Sequence, residues 1–224
     1  MKACCVSVDA ASSARGLELF KQNRDVVKIF AGIHPEASSR EDLEKFRELF
    51  LQNVEMIDGI GEIGLDKTYE ERGIAPYDKQ KLVFEAMLQL AESKSLPVSI
   101  HSRKSLEDIL SILSSFNQKG VLLHWFAGSK KQLARASDMG LYVSFGPALV
   151  YSEDKKVLLQ NARRDRILVE TDGPVAFSHC FENLPASPTS FLISVVATAA
   201  KVLNLDFDEL VSILEKNTLS YLSA

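Results

Sequence analysis

The sequence predicts an α/β fold: a parallel sheet wound as a TIM-type (β/α) barrel. Three observations carry this expectation. Strand-like and helix-like patterns alternate along the whole chain, as repeated strand–helix units with right-handed crossovers require. Several strand candidates are continuous apolar runs rather than alternating ones, the pattern of strands buried on both faces. No glycine-rich phosphate loop follows any strand, which disfavours an open dinucleotide-binding sheet. The 224 residues, 46% hydrophobic and 25% charged, suffice for one well-buried domain spanning residues 1–224. They fall somewhat short of the roughly 250 residues typical of an eight-fold barrel.

Taken in order, strands are expected at residues 4–8, 27–33, 57–63, 98–101, 121–124, 141–145 and 167–170. Leu43, Phe46 and Phe50 form an apolar stripe at helical spacing, led by Ser38 and Glu41 in capping-box spacing. Leu82, Val83, Ala86, Met87, Leu90 and Ala91 form a second stripe. Ser105 and Asp108 repeat the start signal before Leu106, Ile109, Leu110 and Leu113. Two further helices are expected over 188–203 and 207–215. The uncharged segment 183–200 contains Pro185 and Pro188, and its truly apolar part is too short to span a bilayer, so a buried helix is the expectation there. No linker, repeat or low-complexity segment divides the chain.

The net charge of −4 excludes bulk electrostatic attraction to nucleic acid but leaves room for a local basic patch. Three cysteines form neither a CxxC pair nor an even framework, which points to a reducing cytoplasm. The first eight residues are too short and too weakly basic for a signal peptide, and no membrane partner is expected.

The strand ends carry the chemistry. Five strands finish in Ala31-Gly32-Ile33-His34-Pro35, Gly61-Glu62-Ile63-Gly64-Leu65-Asp66, Ile100-His101-Ser102-Arg103, Leu122-Leu123-His124-Trp125-Phe126 and Glu170-Thr171-Asp172-Gly173-Pro174. In parallel α/β folds the carboxyl ends of the strands meet at one face, where active sites are built. Histidines and carboxylates together are ligands for Zn, Mn and related ions. Each residue also has a plain structural reading. A lone histidine after an apolar run is more often a satisfied structural group, Asp before Gly-Pro is usually a turn former, and Glu62 between glycines can be a hydrogen-bonded strand end. Their recurrence at successive strand ends favours a metal site.

These motifs closely resemble the TatD family of metal-dependent hydrolases, many of them DNases. Gly-Ile-His-Pro, Gly-Glu-Ile-Gly-Leu-Asp, His-Ser-Arg, His-Trp-Phe-Ala-Gly and Glu-Thr-Asp-Gly-Pro fall in the family's order, and the likeness runs to a terminal helix start at Asn217-Thr218. The resemblance implies that Glu62 bridges two metals, that His101 and His124 are ligands of the second metal, and that Asp172 is a first-metal ligand that also takes the proton of the attacking water. It implies that His34 and Arg103 hold water or substrate phosphate, with Asp66 as a supporting carboxylate in that substrate-binding group. One or two divalent ions per chain (Zn, Mn or Mg) are expected, with nucleic acid as substrate. A bound metal lowers the pKa of water towards 7, and the planar fork of Arg103 suits phosphate.

Several basic and aromatic residues near these motifs have two readings. Lys104, Lys130 and Lys131 either extend a phosphate-binding rim or form solvated helix starts. Arg163, Arg164 and Arg166 precede a strand and are read as surface charge. His179 is read as a solvated loop residue ahead of a substrate contact, and Trp125 as packing ahead of a pocket wall.

The family's opening strand carries His-x-His, a pair found nowhere in this sequence. Residue 1 aligns with the start of the family's second strand, so seven strands are counted and the first strand of the barrel is missing from the chain as given. Either that strand lies upstream or the sheet closes differently; the former is preferred. Beside a deoxyribonuclease, two alternatives stand: a metal-dependent hydrolase of a small amide or ester, and a binding protein impaired in catalysis.

Overall fold

A computed structural model of the protein describes residues 3–176, 179 and 190–223. The chain divides into two compact units, Met1–Leu122 with Leu222–Ala224, and Leu123–Tyr221.

In the first unit, strands β1 (Ala3–Val6), β2 (Val27–Ala31), β3 (Gly59–Asp66) and β4 (Val98–Arg103) lie parallel in chain order, with helices α1 (Ala10–Leu19), α2 (Leu43–Gln52), α3 (Lys67–Glu71), α4 (Tyr77–Lys94) and α5 (Leu106–Leu113) between and after them. Strand β5 (Val121–Leu123) follows. The expected strands are all present, within a few residues at their ends. All eight residues of β3 are buried, as a strand covered on both faces must be.

Two features of β3 position the residues that matter. Its register against β4 shifts between Ile60 and Ile63, an irregularity that re-aims the side chains around it and falls at Glu62. Gly64 has φ +142°, and a Cβ there would stand 2.1 Å from the carbonyl oxygen of His101. Only glycine lets the β4 backbone come this close at His101.

The helix starts differ from the capping expectation. Helix α2 is capped by Asp42, which accepts the Glu44 and Lys45 amides, while the Ser38 hydroxyl donates to the Pro35 carbonyl. Ser105 precedes α5 without a side-chain cap; its hydroxyl donates to the Leu65 carbonyl, and Asp108 instead accepts from the Tyr77 hydroxyl at 2.6 Å. A carbonyl takes the hydroxyl that spacing assigns to a cap in both places, three residues back for Ser38 and forty residues back for Ser105. The buried stripe of α4 is Tyr77, Gln80, Val83, Phe84, Met87, Leu88 and Ala91. It is rotated from the expected one, so that Leu82 is exposed and Phe84 and Leu88 fill the core.

In the second unit, β6 (Tyr142–Phe145) pairs parallel with β7 (Ile167–Val169), accompanied by α6 (Lys130–Asp138), α7 (Glu153–Asn161), α8 (Ser190–Leu203) and α9 (Phe207–Leu222). Helix α8 buries Phe191, Val195, Val196, Ala199 and Ala200 but exposes Ile193; it is amphipathic, not buried all round. Cys180, Pro185, Pro188 and the rest of the expected uncharged segment ahead of α8 lie outside the described residues. Helix α9 runs past the expected end at residue 215, and Asn217-Thr218 lies inside it rather than starting a new helix. The Asn217 amide is buried and donates to the carbonyls of Arg164 and Ile167, fixing the chain ahead of β7. Arg163 pairs with Asp165, while Arg166 donates to the Gly140 carbonyl and lies over the Tyr142 ring. Arg164 donates to the Leu203 carbonyl, so all three arginines are engaged by the protein itself. Among the described residues, no helix is long and apolar enough to cross a membrane.

Candidate metal centre

In the first unit, His34, Glu62, Asp66 and His101 come together. His34 follows β2 at the start of a short 3-10 turn, and its Nδ1 accepts the Glu36 amide at 3.3 Å. That bond makes Nδ1 an acceptor and turns Nε2 towards Glu62 Oε1, 3.4 Å away. The same carboxylate oxygen lies 3.0 Å from His101 Nδ1. The two imidazole rings meet edge to face, with centroids 4.7 Å apart. One ligand atom each from His34, Glu62 and His101 can be chosen so that all lie within 4.8 Å of one another. Nitrogen and carboxylate donors at such spacing fit a Zn- or Mn-type ion. His34 and Glu62 are buried and His101 is partly exposed, so the cluster has a dry wall and an open side.

Asp66 stands behind this trio, fully buried. Its Oδ2 lies 3.0 Å from His101 Nε2, and its Oδ1 accepts from the Thr68 amide and hydroxyl at 2.8 and 2.6 Å. Burial pushes its carboxyl up, but the bonds from His101 and Thr68 outweigh this and hold it below the usual carboxylate range. Gln80, buried on α4, clamps the Asp66 backbone: its Oε1 accepts the Asp66 amide at 2.8 Å and its Nε2 donates to the Asp66 carbonyl at 3.0 Å. Sequence reasoning missed Gln80, which lies ahead of the apolar stripe expected from Leu82 onward and carries no local signal of its role. Tyr69 lies edge-on to His34 at 5.7 Å. Burial and the carboxylates of Glu36, Asp66 and Glu62 raise its phenol, while Arg103 acts the other way.

Arg103 ends β4, level with Asp66, with its side chain exposed. The next residue, Lys104, has φ +55° and pairs with Glu71 at 2.9 Å, so its charge is already engaged.

The second unit holds His124 and Asp172. His124 follows β5, and its Nδ1 faces Glu170 Oε1 at 3.7 Å. Glu170 Oε2 accepts a 2.6 Å bond from Ser144 Oγ, which in turn accepts the Trp125 amide at 3.1 Å. Trp125 has φ +42°, a conformation that costs a bulky residue about 1–3 kcal/mol; it is partly exposed. Asp172 also lies in the left-handed region at φ +51°, which aspartate tolerates better than most residues. Lys155 donates to the Phe126 carbonyl. Burial pulls its ammonium down to about 8, with Glu170 acting in the opposite direction. Glu170 and Ser144 were not expected as functional groups. His179 is exposed and packs its ring against Tyr151, 5.2 Å between centroids, and Lys130 and Lys131 open α6.

A family model described as TatD related DNase matches residues 1–223. An uncharacterized metal-dependent hydrolase of Bacillus subtilis, YabD, is 31% identical over 219 residues, covering 95% of this chain and 83% of its own. The 3'-5' ssDNA/RNA exonuclease TatD of Erwinia tasmaniensis is 31% identical over 174 residues, covering 74% of this chain and 65% of its own. Among solved structures, the TatD homologue YjjV of Escherichia coli superposes with a TM-score of 0.88 at 22% identity, covering 100% of this chain and 86% of that one. The fold is therefore the α/β barrel fold of those proteins.

Proposed function

The chain belongs to the TatD-related DNase family of metal-dependent hydrolases, and from that premise we propose that it is a deoxyribonuclease that cleaves phosphodiester bonds with a metal-activated water. The observation that carries this reading is the His34, Glu62 and His101 cluster, whose donor atoms lie within metal-chelating reach of one another on a mostly buried wall. Relatives named as nucleases support the choice of nucleic acid as substrate.

In this reading Glu62 and His101 in the first unit, and His124 and Asp172 in the second, are metal ligands. A bound divalent ion supplies Lewis acidity and lowers the pKa of water. His34 keeps its reading as a substrate or water contact beside this ligand set: its Nδ1 accepts the Glu36 amide, so Nε2 carries the proton and faces Glu62. Asp66 holds His101 from the side away from Glu62, fixing the ring's tautomer as outer carboxylates do. Asp172 takes the proton of the attacking water, and Arg103 holds substrate phosphate at the exposed end of β4. Residues 1–224 act as one hydrolase domain. A cytoplasmic setting is supported by Cys4 and Cys5, both free thiols.

The test is cleavage of a labelled single-stranded DNA by chelator-stripped protein, with and without added Mn, Mg or Zn, beside a panel of amide and ester substrates. Metal-restored DNA cleavage is expected. Hydrolysis confined to the amides or esters would move the substrate to those classes, and no hydrolysis with any metal would overturn the enzyme reading.

A further inference from the structure

Glu170 and Ser144, beside His124, have no role in the reading above, and together they have the form of a support for an imidazole. Glu170 Oε1 is buried and makes no hydrogen bond of its own, yet it lies 3.7 Å from His124 Nδ1. The other oxygen is fixed by the Ser144 hydroxyl at 2.6 Å. Ser144 also takes the amide of Trp125, the residue next to His124, whose left-handed backbone needs holding. One hydroxyl therefore ties the carboxylate and the histidine's backbone together. Gly146 leaves just enough room for the glutamate: a Cβ there would stand 3.3 Å from Glu170 Cγ. Lys155, drawn in by the Phe126 carbonyl, adds a positive charge on the Glu170 side.

We propose that Glu170, anchored by Ser144, is a positioning residue that holds His124 with Nδ1 protonated, so that Nε2 is the nitrogen offered to a metal ion. The inference rests on the reading of His124 as a ligand. A carboxylate accepts only, so a ring nitrogen facing it must donate, and the lone pair is left on the other nitrogen. A small closure of the 3.7 Å gap converts the contact into a hydrogen bond, a tightening common when a site is filled.

The test uses the full chain, 15N-labelled and stripped of metal, and reads the ring nitrogens of neutral His124 by NMR; His124→Asn assigns the signals. The same proteins are then titrated with Mn²⁺ by calorimetry. Wild type should show the Nδ1–H tautomer. Glu170→Gln keeps the size and the Ser144 bond but turns an amide N–H towards the ring. It should shift the tautomer towards Nε2–H and weaken Mn²⁺ binding roughly 10–100-fold. Ser144→Ala, which removes only the anchor, should act in the same direction with a smaller effect. An unchanged tautomer in both variants would overturn the proposal. So would a Glu170→Gln loss of affinity larger than that of His124→Asn with the tautomer unmoved, because Glu170 would then be a ligand itself. If the tautomer shifts but neither Glu170→Gln nor His124→Asn alters affinity, His124 is not a ligand. The metal half of the inference then falls with that reading, while orientation by Glu170 stands.

Discussion

His101 and His124 look alike in the sequence, each closing an apolar strand, but they are supported in opposite ways. Both nitrogens of His101 face carboxylates at 3.0 Å, Glu62 on one side and Asp66 on the other. Glu62 also faces His34, so one carboxylate organises two imidazoles. For His124 the facing carboxylate, Glu170, stands at 3.7 Å and is itself held by a serine. In the proposed reading, holder and ligand overlap in Glu62 in the first unit. In the second they are separate residues. A change at Glu62 should therefore spread through its cluster, whereas in the second unit a change at the support, Glu170, can be made apart from one at His124.

The largest expected effect follows from that contrast. Asp172→Asn should lower turnover on DNA by about 10²–10⁴-fold, the range for loss of a positioned proton acceptor, with thermal stability little changed. Glu62→Gln should lower turnover and metal affinity together, because two histidines lose their shared partner. Steady-state rates alongside metal titration check both. Wild-type metal affinity in Glu62→Gln would show that the two histidines do not depend on a shared partner.

Asp66→Asn comes next. Its carboxylate grips the far nitrogen of His101 and caps α3, so metal affinity should fall about 10–100-fold and stability by about 1 kcal/mol. Calorimetry and thermal melts separate these effects. An affinity unchanged by the substitution would show that His101 needs no outer support.

Much of this site was legible in the sequence, and the limits of legibility have physical causes. Buried parallel strands leave continuous apolar runs, so the seven strands stood out, and with them the residues that end them. The supports did not stand out, because they come from distant elements: Gln80 reaches Asp66 from α4, and Ser144 reaches Glu170 across the β6 and β7 pair. A serine inside a strand or a glutamine inside a helix has no local pattern that marks it as a clamp. Ser38 and Ser105 show the converse. Their spacing fitted helix caps, but carbonyls of Pro35 and Leu65 took the hydroxyls. His34 was visible as a strand-end histidine, yet only the Glu36 amide on Nδ1 reveals that Nε2 faces Glu62.

Arg103→Ala should have a smaller effect, confined to substrates bearing phosphate. DNA binding should weaken at low salt, and the slope of log affinity against log salt should fall by about one unit. An unchanged slope would remove Arg103 from the phosphate contacts.

The smallest effect lies away from the site, at Asp108. The Tyr77 hydroxyl, then Lys67, hold its carboxyl below the ordinary value of 3.8. A depressed carboxylate adds stability that is fully present above 3.8 and is lost as the pH falls through its lower folded value. Tyr77→Phe should therefore lower stability near neutrality but flatten the acid limb of the stability curve below about pH 4. Parallel acid limbs for wild type and variant would contradict it.

The central claim is that the carboxylate and imidazoles at the ends of these strands hold metal, and direct titration tests it most simply. Chelator-stripped protein, wild type and His101→Ala, is titrated with Mn²⁺ in a calorimeter. Wild type should bind at least one ion tightly and His101→Ala should lose that binding. A wild-type protein that binds no ion, or a His101→Ala variant that binds as tightly as wild type, would contradict the claim.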